Sequence, residues 1–313
     1  MSLAFVFPGQ GSQSVGMLTD LATHFPQVQS TFSEASDALG YDLWQLVSAG
    51  PAELLNETHR TQPAMLAAGI AVWRSWQSIS DVTPSYLAGH SLGEYSALVA
   101  AGAISFADAI KLVEQRGQFM QQAVPAGEGA MAAILGLDDD LVREICATAA
   151  AKGIAEAVNF NSPGQVVIAG AVDAINSAIE IAKEKGAKRA LLLPVSVPSH
   201  CALMKPAAEK LENVLANITF KYPTIPVIHN VSVTSVDDKN DIKQLLVEQL
   251  YSPVRWVETV QFLAEQGVNT LVECGPGKVL AGLTKRIDKS VMGLPMFDQA
   301  SLEKVQKLVE ENK

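Results

Sequence analysis

Five consecutive residues, Gly89-His90-Ser91-Leu92-Gly93, carry the strongest chemical signal in the chain. They spell G-x-S-x-G. The apolar stretch Tyr86-Leu87-Ala88 precedes them, and Glu94 to Ala101 follows with the composition of a helix. Strand, sharp turn and helix is the setting in which this pattern lifts a serine hydroxyl to a strand tip. The two glycines suit a crowded turn, where a Cβ would obstruct the approach of strand and helix. Ser91 is then a candidate nucleophile. The N–H of Leu92, at the positive end of the following helix, is a candidate donor to the oxyanion that attack on a carbonyl creates. A glycine-bounded turn with an incidental serine fits the same five residues, and the strand and helix flanks weigh against it.

An oxyanion hole needs a second donor, usually from another strand–helix loop. Gly9-Gln10-Gly11-Ser12-Gln13 follows the apolar run Leu3–Phe7. It is no phosphate loop: there is no G-x-x-x-x-G-K-[ST], and Ser14 stands where G-x-G-x-x-G needs its third glycine. The N–H of Gln10 is the candidate donor, and a plain strand-to-helix turn is the alternative. A serine also needs a base. His90 adjoins Ser91, and neighbouring side chains diverge in extended structure. His24 and His59 sit in polar helical surroundings, and His229 lies in an expected strand. His200, in the proline-stiffened run Val195-Ser196-Val197-Pro198-Ser199-His200-Cys201, lies where two domains would join, and such junctions line clefts. It is the candidate base, against a satisfied structural histidine. Arg116 sits among apolar and amide neighbours, apart from Glu114. Its planar fork suits a carboxylate receptor. An ion pair with Glu94 or Glu114 fits equally well.

The elements that must position these residues alternate. Leu3–Phe7, ended by Pro8-Gly9, reads as a buried first strand. Helical patterns follow to about residue 48 and again from Gln62 to Ser78. The elbow comes next, then an amphipathic helix from Phe106 to Gln122 with Ser105 as N-cap. This alternation argues for a parallel sheet with helices on both faces. The texture changes at Val124-Pro125-Ala126-Gly127. Strands are expected over Ala130–Leu135, Ala155–Phe160, Gln165–Ile168 and Arg189–Leu193, with helices over Asp138–Ala150 and Val172–Lys185. Asn161-Ser162-Pro163-Gly164 supplies the hairpin turn. That order is the ferredoxin-like β-α-β-β-α-β unit. The fold class expected is therefore α/β: a hydrolase-like large domain over residues 1–124 and 198–313, with an inserted ferredoxin-like small domain over 125–197. Later elements are a helix at Pro206–Leu215, strands at Pro226–Val231 and Thr270–Val272, and a C-terminal helix at Leu302–Lys313 with Ser301 as possible N-cap.

At 313 residues the chain is long enough for this arrangement, and 48% apolar with 18% charged residues is ordinary for a globular enzyme. The net charge of −10 and the lack of a basic run exclude nucleic acid and anionic membrane as expected partners. The three cysteines, Cys146, Cys201 and Cys274, are far apart and odd in number, which argues against a disulfide framework and against C-x-x-C metal spacing. The five-residue apolar run near the start has no positive flank, so no signal peptide is expected. The longest mostly apolar stretch, Ala64–Trp73, is too short to span a bilayer. A cytoplasmic protein is the expectation.

The motifs together resemble the bacterial malonyl-CoA:acyl carrier protein transacylases, the acyltransferases of fatty acid synthesis. The stretches that carry the resemblance are Phe7-Pro8-Gly9-Gln10-Gly11-Ser12-Gln13, Thr61-Gln62-Pro63-Ala64, Gly89-His90-Ser91-Leu92-Gly93-Glu94-Tyr95, Gln115-Arg116-Gly117, Asn159-Phe160-Asn161-Ser162-Pro163-Gly164-Gln165, Val197-Pro198-Ser199-His200 and Glu273-Cys274-Gly275-Pro276-Gly277. They stand in the family's order and cover essentially the whole chain. The resemblance implies Ser91 as nucleophile, His200 as base, Gln10 and Leu92 as oxyanion hole, Arg116 as receptor of the malonyl carboxylate, and Gln249 as the residue that orients the histidine. It implies malonyl-CoA and an acidic acyl carrier protein as partners, ping-pong transfer, and no cofactor or metal. Lys278, Lys285 and Arg286 would form a local basic patch for that carrier, or simply a solvated helix face. A serine esterase or thioesterase would use the same elbow but hydrolyse its acyl-enzyme. A non-catalytic scaffold would form none.

Overall fold

The computed structural model describes residues 2–195 and 197–312. Its nine strands are β1 (Leu3–Phe7), β2 (Tyr86–Gly89), β3 (Gly129–Leu135), β4 (Ala155–Ser162), β5 (Gln165–Ala171), β6 (Arg189–Leu192), β7 (Val227–Ile228), β8 (Thr270–Cys274) and β9 (Met292–Met296). They form two sheets. The first is parallel throughout, in the order β7-β2-β1-β8-β9. The second is antiparallel, in the order β4-β5-β3-β6.

Every residue of β1 and β8 is buried, because helices cover the parallel sheet on both faces. Strand periodicity divides β1 between two cores. Leu3, Phe5 and Phe7 pack with the helices Thr58–Gln77 and Phe106–Ala123. Ala4 and Val6 pack with Trp256–Glu265 and Val279–Ile287 on the other side. In the antiparallel sheet, Ala132, Ile134, Phe160, Val166 and Ile168 face the helices Asp139–Ala149 and Val172–Glu184. On its other face Met131, Val158, Val167 and Ala169 pack against Cys201. Two backbone bonds tie β4 to the chain beyond it: Phe160 N–H to Val254 C=O at 3.1 Å and Val254 N–H to Val158 C=O at 2.8 Å.

Several expected elements differ in extent. The strand expected over Pro226–Val231 is only the two residues Val227–Ile228. His229 and Asn230 leave it because both side chains are engaged under the elbow, as described below. β9 was not expected, since Gly293 and Pro295 disfavour a strand; as an edge strand it tolerates a proline. The helix expected from Gln62 starts at Thr58 and carries Pro63 inside it. In the C-terminal helix, Gln299–Glu311, the N-cap is Asp298 rather than Ser301. Ser301 completes the capping box from the N3 position. Met1, Ser196 and Lys313 lie outside the described residues.

Candidate active site

The parallel sheet sets up the site at the carboxyl ends of its strands, where open α/β sheets hold their ligands. β2 runs into the elbow and the helix Gly93–Ala100 leaves it. The glycines serve close approach rather than conformation. A Cβ on Gly89 would overlap the backbone of Gly93, and one on Gly93 would overlap the carbonyl of Phe7 in β1. Ser91 itself carries the unusual backbone angle, φ 51°. Non-glycine residues held there cost of order 1–3 kcal/mol and persist only where their surroundings hold them. Asn230 does so here. Its Oδ1 accepts from the Ser91 N–H at 2.8 Å, while its Nδ2 donates to the Gly89 carbonyl at 2.7 Å.

The Ser91 hydroxyl lies 2.7 Å from His200 Nε2. On the far side of the ring, His200 Nδ1 lies 2.7 Å from the main-chain oxygen of Gln249. A carbonyl can only accept, so Nδ1 carries the proton and the Nε2 lone pair faces Ser91. The imidazole is buried, and its backbone is also left-handed, φ 68°. Burial, and next the positive charge of Arg116, push its pKa down to about 3. The ring is therefore neutral at neutral pH and ready to accept a proton.

Arg116 comes from the middle of the helix Phe106–Ala123 and is 1% exposed. Among the described residues no carboxylate lies within 4.0 Å of it, so the expected alternative of an ion pair with Glu94 or Glu114 is not what the structure has. Glu114 pairs with Arg60 instead. Two neutral amides hold the guanidinium. One terminal nitrogen donates to Gln62 Oε1 at 2.9 Å, the other to Gln249 Oε1 at 3.0 Å and, at 3.5 Å, toward Ser91 Oγ. Three of the four N–H bonds on the terminal nitrogens are directed at these groups, so one of them remains for a ligand, and Nε has no partner among the described residues. Burial without a carboxylate lowers its pKa from the ordinary arginine value.

Beneath the elbow, Glu94 accepts from three donors: His229 Nδ1 at 2.7 Å, Asn230 N–H at 2.9 Å and Gln249 Nε2 at 2.9 Å. Gln249 Nε2 also donates to the Ser91 carbonyl at 3.0 Å. Gln249 thus touches all three central groups: main chain to His200, amide oxygen to Arg116, amide nitrogen to Ser91. His90, by contrast, turns away from Ser91 and bonds Asn161 at 2.8 Å.

These groups open on one cleft of about 250 Å³ between the two sheets. Ser91, Leu92, Gln10, His200 and Arg116 all line it. Among the described residues, neither the Gln10 N–H nor the Leu92 N–H donates to a protein acceptor, so both are available to an oxyanion. Sequence reasoning missed Gln62, Glu94, His229 and Asn230 as parts of the site. Their available signals were a charged residue in the first turn of an apolar helix and a polar pair ending an apolar strand.

Comparison with known proteins gives a consistent result. The family model for the acyl transferase domain matches residues 4–308. The malonyl CoA-acyl carrier protein transacylase of Escherichia coli K12 is 61% identical over 284 residues, covering 91% of this chain and 92% of that protein. That of Salmonella typhimurium is 58% identical over 299 residues, covering 96% and 97%. The acyl carrier protein S-malonyltransferase of Vibrio cholerae superposes with a TM-score of 0.95 at 61% identity, covering 97% of this chain and 100% of that one. A malonyl-transacylase solved in complex with a type II PKS acyl-carrier protein gives 0.97 at 58% identity, covering 98% and 99%. With an unpaired arginine beside a histidine-bonded serine and these similarities over nearly its full length, the chain belongs to the acyl transferase family, among the malonyl CoA-acyl carrier protein transacylases.

Proposed function

We propose that this protein transfers a malonyl group from CoA to the phosphopantetheine thiol of acyl carrier protein, for fatty acid biosynthesis, through a malonyl ester on Ser91. The observation that carries the reading is Arg116: a buried guanidinium with no carboxylate partner among the described residues, 3.5 Å from a serine oxygen that is hydrogen-bonded to a histidine. A buried cation without a counter-ion is costly. A substrate that brings its own carboxylate supplies the missing partner.

The reaction proposed is ping-pong transfer, and the placing of Ser91, His200 and Arg116 in one cleft supports it. Malonyl-CoA enters with its free carboxylate on Arg116. The Ser91 oxygen attacks the thioester carbonyl and its proton passes to His200 Nε2. The N–H groups of Gln10 and Leu92 hold the oxyanion, each worth about 10²–10³ in rate. The tetrahedral centre collapses, the C–S bond breaks, and the CoA thiolate takes the proton from His200. The carrier thiol then enters the same cleft and runs the steps in reverse. A Ser–His dyad oriented by a carbonyl suffices because thioesters are activated donors. Each step has a protein group assigned to it, so the chemistry proposed uses no metal or prosthetic group.

We read residues 1–124 and 198–313 as a hydrolase-like catalytic domain and 125–197 as a ferredoxin-like insertion. The strand order β4-β5-β3-β6, with two helices on one face, supports the second assignment. No helix among the described residues is long and apolar enough to cross a membrane, and the proposed location is cytoplasmic.

Intact mass spectrometry tests the reading directly. After malonyl-CoA the wild type gains one malonyl group, and acyl carrier protein removes it. Ser91→Ala gains nothing. A persistent adduct on Ser91→Ala moves the nucleophile elsewhere, and rapid loss of the adduct to water alone makes the protein a thioesterase.

A further inference from the structure

Glu94 has no part in the reaction written above, yet it is a buried carboxylate in the first turn of the helix that leaves the elbow. All three groups that hydrogen-bond it are N–H donors: His229 Nδ1 on one oxygen, and the Asn230 main chain and Gln249 Nε2 on the other. That is the setting of an ionised carboxylate, which can only accept. His229 Nε2 is buried with no protein partner among the described residues. A second proton there would make a buried cation with an unmet N–H, so the ring stays neutral and leaves the charge of Glu94 uncancelled.

One side-chain amide separates this anion from Arg116. Gln249 Nε2 lies 2.9 Å from Glu94 Oε2, and Gln249 Oε1 lies 3.0 Å from a terminal nitrogen of the guanidinium. Both Nε2 hydrogens are taken, by Glu94 and by the Ser91 carbonyl, so the amide is held with its oxygen toward the arginine. With the amide's own bond lengths added, the two charged groups are within about 9 Å of each other. Charges that close, both buried, are little screened by salt. Burial lowers the Arg116 pKa, and Tyr95 and Glu94 act against it.

We propose that Glu94 sets the strength of the malonyl receptor: across the Gln249 amide its charge offsets part of the Arg116 charge, which keeps the malonyl ester on Ser91 from becoming a trap. The proposal rests on the transacylase reading. A transacylase passes its acyl group from one thioester to another, so the serine ester between them must be as easy to leave as to enter. An arginine buried with no anion near it would hold the carboxylate of that ester too firmly. A direct ion pair with Glu94 would leave the substrate carboxylate little to bind. One intervening amide gives the intermediate case.

The test reads an equilibrium rather than a rate. Wild type and Glu94→Gln are equilibrated at neutral pH with malonyl-CoA and CoA, in the ratio that half-acylates the wild type, and the ester is counted by intact mass after denaturation. A parallel series uses acetyl-CoA and CoA, with the ratio set in the same way. The glutamine keeps an oxygen for Asn230 and Gln249 and turns its nitrogen to His229, whose ring accepts in its other tautomer, so the variant loses a charge and no hydrogen bond. Glu94→Gln should move the malonyl balance about five- to ten-fold toward the ester and leave the acetyl balance within about two-fold of wild type. Glu94→Asp keeps the charge and should stay within about two-fold for both acyl groups. A malonyl balance that stands still or moves toward free enzyme in Glu94→Gln overturns the proposal, and so does an equal shift for acetyl. A malonyl shift in Glu94→Asp overturns it as well, whether or not the glutamine variant folds, and a Glu94→Gln chain that does not fold makes the carboxylate structural. A wild type that holds no malonyl ester at any ratio overturns instead the transacylase reading beneath it.

Discussion

His200 and Arg116 are coupled by charge as well as by position. The guanidinium that is proposed to receive the substrate carboxylate also lowers the basicity of the imidazole that must take the Ser91 proton. A base works only unprotonated, so acylation holds its rate into acid and falls as His200 gains a proton near its depressed pKa. Removing the arginine charge lets that pKa rise toward the ordinary value of about 6.5, and the acid limb moves to higher pH. Arg116→Ala should show this as an upward shift of the acid limb in single-turnover acylation by acetyl-CoA. The same variant should lose its preference for malonyl over acetyl groups. In the wild type an acetyl group leaves the buried cation unpaired, at a cost of about 3–5 kcal/mol. A limb that does not move would uncouple the two side chains. A surviving malonyl preference would end the receptor role. It follows that a bound malonyl carboxylate, by neutralising Arg116, makes His200 a better base for the substrate that carries it.

At the scale of elements, the elbow is a strained turn held from outside. Asn230 bridges the Ser91 N–H and the Gly89 carbonyl, and it stands where β7 has stopped after two residues. Asn230→Ala leaves both groups unsatisfied. It should cost about 2 kcal/mol in chemical denaturation and slow acylation, with the malonyl-CoA KM little changed because Asn230 is no part of the cleft wall. An undiminished acylation rate would mean the elbow supports itself. This network also marks the limit of what the sequence discloses. G-x-S-x-G was legible because strand, turn and helix follow one another in the chain and Gly89 answers to crowding within that turn, although Gly93 answers to Phe7 of β1. Ser105 and Asp138 were legible as helix boundaries for the same local reason, each accepting from a backbone N–H three residues on. Arg116 was legible as a possible receptor but not as an unpaired one, since pairing depends on Gln62 and Gln249, 54 residues before it and 133 after it. Gln249 ends a polar helix and nothing local distinguishes it. Only the family resemblance pointed there.

The whole molecule must admit a second protein to this cleft despite a net charge of −10. The helix Val279–Ile287 has two sides. Val279, Leu280 and Leu283 line the cleft, while Lys285 and Arg286, with Lys278 just before the helix, are exposed. Arg286 also bonds Gln165 at 2.9 Å, and with Lys188 and Arg189 it surrounds a surface hollow that Asp138 shares. Positive charge is thus gathered at the rim through which a carrier-borne arm would pass, on a molecule whose overall field repels an acidic partner. Charges at a rim act mainly on encounter and its salt dependence. Lys278→Glu combined with Lys285→Glu should raise the KM for acyl carrier protein several-fold at low salt. The effect should fade above about 0.15 M, where the screening length falls to about 8 Å. Self-acylation by malonyl-CoA, which involves no carrier, should keep its wild-type rate. If the carrier KM is unmoved at low salt, this face is a solvated helix surface and the carrier docks elsewhere. That outcome would leave the chemistry at Ser91 intact, because the contacts that hold Ser91, His200 and Arg116 involve neither lysine.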